Sequence, residues 1–177
     1  MAANLEKLKE LMVYIASRLE TDDNLGRTKL NKLLYFSDFY AYAKLGKSIT
    51  GATYLKQDRG PVPSDIGVAT RELEESYSLV FSTVTHYNRQ QHRPIAIRDA
   101  VLNKFTAAEI SLVGEIVDEY KDLNAAEISD YSHIQSIGWQ LAEPMQEIPY
   151  STVFVSTRPP SSEVLSRAKT VANQLGL

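Results

Sequence analysis

Lys29-Leu-Asn-Lys-Leu-Leu-Tyr-Phe36, continuing as Ser37-Asp-Phe-Tyr-Ala-Tyr-Ala-Lys44, is the stretch on which the fold turns. Between Leu33 and Ala43 the one formal charge is Asp38. Leu30, Leu33 and Leu34 form one apolar stripe, and Tyr35, Phe39 and Tyr42 recur at i, i+4 and i+7 on another. A helix that is apolar on two sides must be covered on two sides. This segment, opening at Thr28 as N-cap and running to Leu45, is therefore expected to be the central helix of the domain. Gly46 is its stop, and Lys44 sits near the negative end of its dipole.

Upstream, Leu5, Leu8, Leu11/Met12, Ile15 and Leu19 keep helical spacing and predict an amphipathic helix over 5–20, followed by the polar loop Thr21–Gly26. Downstream, Thr53–Asp58 reads as a short strand. Gly60-Pro-Val-Pro63 forces an extended bend, because each proline disfavours helix in the residue before it, and Pro63 suits the first turn of a helix reaching about Ser76. Leu79–Thr85 and Pro94–Arg98 are β-rich runs around the turn-prone segment His86–Arg93, a hairpin with a long loop that the 53–58 strand would extend to three strands. Thr106-Ala-Ala-Glu109 is a capping box, and Asn124-Ala-Ala-Glu127 repeats the device, giving two consecutive helices. Pro149 and Pro159-Pro160 bracket an irregular stretch with a β-rich run at Thr152–Ser156. Val164, Leu165, Ala168, Val171, Ala172 and Leu175 then stripe a terminal helix, expected to pack on its own core or on a second copy in a homodimer. The fold class is mainly α (α+β): one multi-helix domain over 1–177 around a central aromatic helix, with a small antiparallel β-sheet or hairpin.

Apolar residues make up 44% of the 177 and charged ones 23%, the balance of an ordinary globular chain, and no apolar run approaches the roughly 20 residues of a membrane span. Without cysteine or a secretory leader pattern at Met1–Leu8, a reducing cytoplasm is the expected compartment. The net charge is −3, with Lys and Arg scattered along the chain, which disfavours nucleic acid and makes a protein the default partner.

Chemistry-bearing residues are sparse. Ser132 and His133 follow Asp130 within one turn, but a triad needs the base to bridge the other two groups in space, which neighbours on one helix do not offer, so no catalytic residue is assigned. His86, His92 and His133 are too dispersed for zinc; no metal or cofactor is expected. Arg59 precedes a rigid Gly60-Pro61 bend and presents a planar fork suited to a carboxylate or phosphate. Lys29 and Lys32 either cover apolar surface with their stems or offer charge to a partner. The 86–93 segment, with His86, Arg89 and His92, has the composition of an adaptable polar contact surface. Glu115, Asp118, Glu119 and Asp122 share one side of a helix, a solvated face or a contact for a basic partner.

Four pieces in order carry a resemblance: Lys29-Leu-x-Lys32-Leu33-Leu34-Tyr35, a helix stop at Gly46, Ile49-Thr50-Gly51 with Tyr54 shortly after, and Gly60-Pro61-Val62. Further on, Ile128 and Ser132-His133 followed by Trp139 agree as well. Together they resemble the Panacea domain, the SocA-like antitoxin family also found among phage-associated proteins, over about 5–150, leaving 151–177 as a C-terminal extension. The resemblance implies the antitoxin of a toxin–antitoxin system, a non-enzyme that neutralises a cognate toxin by direct protein–protein binding. The family's alternative is an adaptor that delivers its toxin to the ClpXP protease. A DNA-binding regulator or an uncharacterised hydrolase are the readings of another class. The contact surface is expected at Lys29, Lys32, Tyr35, Tyr54, Arg59, Gly60, Pro61, His86, Arg89 and His92, with Leu33, Leu34, His133 and Trp139 as signature core.

Overall fold

A computed structural model describes residues 3–86, 89–155 and 161–175. Helix α1 (Leu5–Arg18) opens on Asn4, whose side chain accepts from Lys7 N at 3.0 Å. Helix α2 (Arg27–Leu45) has its cap two residues before the expected Thr28, at the extended Gly26, and ends on Gly46 at φ 76°, whose N–H donates to Tyr42 O. All of Lys29–Phe39 is buried, so α2 is the axis of the domain. It contacts α1, α4 (Ala107–Tyr120), α5 (Ala125–Gln135) and a 3-10 turn at Tyr150–Phe154. Aromatic rings line the contacts: Phe36 stacks on Tyr120 at 4.8 Å, and Tyr42 stacks on Tyr150 at 5.5 Å. Both capping boxes form, Thr106 with Glu109 ahead of α4 and Asn124 with Glu127 ahead of α5. Ser136 breaks the second helix and caps the short α6 (Ile137–Leu141). Among the described residues no helix is long and apolar enough to cross a membrane.

The β structure differs from the expected three-stranded sheet. Strand β1 (Tyr54–Gln57) pairs with β2 (Gly60–Pro63), and β3 (Leu79–His86) pairs separately with β4 (Arg89–Ala96). Gly60–Pro63 is thus a strand rather than a bend, and helix α3 (Ile66–Glu75) begins later than Pro63. Two prolines fit because the ladder alternates: Ser64 N donates to Thr53 O at 2.8 Å, which puts Pro61 and Pro63 at the intervening positions, where no N–H is owed to β1. The other edge of β1 takes the segment 145–148, with Ile148 N donating to Tyr54 O and Lys56 N to Gln146 O. In β3–β4 the expected long loop is mostly ladder, since Arg89–Arg93 are strand residues; Tyr87 and Asn88 lie outside the described residues, as do the side chains of His86 and Arg89. The β-rich run expected at 152–156 is 3-10 as far as Phe154, and Ser156 and Pro159-Pro160 lie outside the described residues.

Helix α7 (Ser162–Leu175) forms where the stripe predicts, yet none of its residues is buried. Within the single chain the expected packing of that stripe does not occur.

Candidate functional site

The N-terminal half of α2 places two lysines inside the protein. Lys29, fully buried, donates to Asp22 Oδ2 and to the carbonyls of Lys121 and Leu123 at 2.6–2.7 Å, which ties the α4–α5 loop to the start of α2. Lys32 is 1% exposed and its amine donates to Pro61 O at 3.2 Å. Desolvation brings its pKa down from 10.5 to about 7. Gly60 makes this approach possible: at φ +101° it lies so close that a Cβ would meet Lys32 Cε at 2.4 Å and Ser132 Oγ at 2.7 Å.

Six residues beyond Lys32 on the same helix, Asp38 is enclosed in the core and accepts from Thr50 N at 2.7 Å, from Thr50 Oγ1, and from Tyr54 Oη at 2.8 Å. Burial raises its pKa, and these bonds oppose the rise. Burial likewise pushes the Tyr35 phenol up to about 12, while Tyr35 Oη donates to Ser136 Oγ at 2.7 Å. Tyr54 is raised by burial and by the Asp38 charge.

Trp139 closes the arrangement from α6. Its indole Nε1 donates to Gln57 O at 3.0 Å, His133 stacks on its ring at 3.8 Å and 7°, and the Lys56 ammonium lies 4.6 Å from the ring centroid. Lys56 also donates to Ala142 O at 2.9 Å. Burial and the nearby Lys32 lower the His133 pKa.

The contacts of Asp38, Lys32, Trp139 and Ala142 all grip the β1–β2 hairpin. Tyr54 is held by Asp38, Lys56 and Gln57 by the α6 region, Gly60 and Pro61 by Lys32 and Ser132. What the hairpin displays is its two-residue turn, Asp58-Arg59, exposed beyond the Gln57–Gly60 pair. The neighbouring α5–α6 region and the segment after it carry exposed apolar side chains, Ile134 at 69%, Leu141 at 75% and Met145 at 60%. Met145 holds φ 64°, unfavourable for a side chain of its size, while its N–H donates to Lys56 O.

The family model described as antitoxin SocA-like, Panacea domain matches residues 30–140, more than half of the chain. The chain belongs to that family. No curated protein and no solved structure matches it. In this Panacea domain most of the expected contact residues are interior: Lys29, Lys32, Tyr35, Tyr54, Gly60 and Pro61 are buried, and none of them presents a surface. Lys29 and Lys32 stand on the helix that carries the aromatic stripe and are covered with it, and their amines meet protein acceptors. Arg59 is exposed, and so is His92, whose Nδ1 lies 3.2 Å from Thr83 Oγ1 on the far hairpin. The structure does not bring β3–β4 to the Arg59 turn: Arg93 and Gln91 anchor it to Glu20 and Asp23 instead. Leu33 and Leu34 are core residues, His133 and Trp139 partly buried. Ser132 Oγ donates to Ser129 O at 2.7 Å, and the adjoining imidazole lies flat on an indole, so the two do not form a nucleophile–base pair. Among the described residues no three His, Asp or Glu side chains are placed to hold a metal ion.

Sequence reasoning missed Asp38, Lys56 and Ser136 as positioning residues. Asp38 was discoverable: a lone carboxylate in an apolar helix needs donors, and Thr50 and Tyr54 follow in the signature that reaches it.

Proposed function

We propose that this chain is the antitoxin of a toxin–antitoxin pair and neutralises a cognate toxin by direct binding, in the cytoplasm and without catalysis. Membership of the antitoxin family supports the role. The observation that carries the mode is that the buried signature residues converge on one hairpin and leave its Asp58-Arg59 turn exposed. Such bracing suits recognition, because a prearranged turn loses little conformational entropy on binding. Arg59 then offers a charged fork on a hairpin whose β1 strand is bonded to the α6 region and to Met145, where Ile134, Leu141 and Met145 are exposed apolar side chains; charge and apolar surface together suit a protein interface.

The test is to express the reading frame encoded beside this chain in a bacterial host, with and without the chain, in strains that have or lack ClpXP. Growth rescue in both strains, with co-purification, is the expected outcome. Rescue confined to the ClpXP strain sinks direct neutralisation in favour of protease delivery.

A further inference from the structure

An unfilled groove and an uncovered helix in this chain match each other. The groove measures about 220 Å³ and runs between the C-terminal half of α2 and the C-terminal half of α4. Tyr40, Ala43, Ile116 and Val153 give it an apolar floor, and Glu115 and Glu119 stand on its rim. Glu115 is paired only at the exposed surface, with Lys44 at 3.3 Å, a contact that water and salt screen. Carboxylates outnumber cations around it: Glu115 and Glu119 stand against Lys44 in the lining, and from Phe105 to Val155 the chain has nine carboxylates against the single Lys121.

Helix α7 carries the converse pattern. At 100° per residue Val164, Leu165, Ala168, Val171, Ala172 and Leu175 fall on one face, Arg167 and Lys169 flank it on its two sides, and Glu163 lies opposite. Its four largest apolar side chains are 44–69% exposed. A 14-residue helix is marginal alone in water and gains its stability from packing. The single chain does not supply that packing, because no α7 residue is buried in it.

We infer that α7 of one copy docks in the α2–α4 groove of a second copy, its apolar stripe on the floor and Arg167 and Lys169 toward the rim carboxylates. The exchange is reciprocal and closes with two-fold symmetry. Two docked helices, each about 21 Å long, need bury only about 600 Å² apiece to reach the roughly 1,200 Å² of a specific interface. Val153 lines the groove and Ser162 opens α7 nine residues later in the sequence, so each helix is joined by a short span to the groove its own copy presents.

Size-exclusion chromatography with light scattering on the full chain tests this. The wild type is expected to be a dimer at micromolar concentration whose melting rises with protein concentration, and Leu165→Glu/Val171→Glu a folded monomer whose melting does not, since those positions touch no core of their own chain. Glu115→Lys/Glu119→Lys is expected to dissociate the dimer too, and adding Arg167→Glu/Lys169→Glu to restore it. A wild type that stays monomeric, as it would if α7 docked in its own chain, overturns the inference. So does a dimer that survives Leu165→Glu/Val171→Glu.

Discussion

Replacing Lys32 by Met should erase a pH dependence of stability that the wild type owes to one buried amine. Lys32 is enclosed, has a carbonyl acceptor at 3.2 Å, and its pKa falls from 10.5 to about 7. A lowered pKa on a base means that the unfolded chain binds the proton more tightly than the folded one. The resulting penalty is fully present below about pH 7 and is lifted as pH rises toward 10.5. The whole difference corresponds to roughly 5 kcal/mol at 1.36 kcal/mol per pKa unit, an order of magnitude. Between about pH 7.5 and about pH 9.5 the predicted gain is about 2 kcal/mol, which at a urea m-value of about 2 kcal/mol/M moves the midpoint up by about 1 M. Asp38, raised by burial, acts in the opposite sense above its ordinary 3.8 and is common to the wild type and Lys32→Met. His133, lowered by burial, matters below its ordinary value of 6.5, while Tyr35 and Tyr54, raised from 10.0, cost stability only above about pH 10. Urea unfolding followed by circular dichroism should therefore give a rising midpoint for the wild type and a flat one for Lys32→Met, whose side chain has similar length and no charge. A wild-type midpoint that does not move, or a rise that persists in Lys32→Met, refutes the reasoning.

Gly60→Ala places a Cβ against Lys32 and Ser132 at a positive φ, and should cost about 3 kcal/mol, read as a melting temperature lower by roughly 10 °C; a change of only a degree or two would show that the approach is loose. Asp38→Ala leaves the buried Thr50 N–H, Thr50 hydroxyl and Tyr54 hydroxyl without their acceptor and should cost about 3–5 kcal/mol in chemical denaturation. A loss under about 1 kcal/mol would mean that water replaces the carboxylate. Asn124→Ala removes the cap that accepts from Ala126 N and Glu127 N and should cost about 1 kcal/mol, measurable by the same denaturation.

The helices were legible because their signals are local. Capping boxes at Thr106 and Asn124, a left-handed stop at Gly46 and the α1 stripe each act within a few residues, and each predicts what forms. The hairpins were less so. Gly60-Pro-Val-Pro63 reads as a bend from its own residues, and only the alternation of a ladder with Tyr54–Gln57 shows why two prolines fit a strand. The site was hidden for a related reason: burial of a lysine is decided by what packs over it. Lys32 is in helical line with Tyr35, Phe36 and Phe39, and that alignment with a covered stripe was the available sign that Lys32 faces inward. Acidity confined to 105–155 was also present in the sequence, masked by a net charge of −3 for the whole.

Titration calorimetry of the purified product of the neighbouring reading frame into this chain, wild type against Arg59→Glu, tests the central claim most directly. One-to-one binding by the wild type and a loss of about 100-fold for Arg59→Glu are expected, with the melting temperature unchanged because the turn is exposed. Equal affinity for the two would contradict the assignment of the Asp58-Arg59 turn as the contact, and no binding by a wild type that still rescues growth would contradict direct neutralisation.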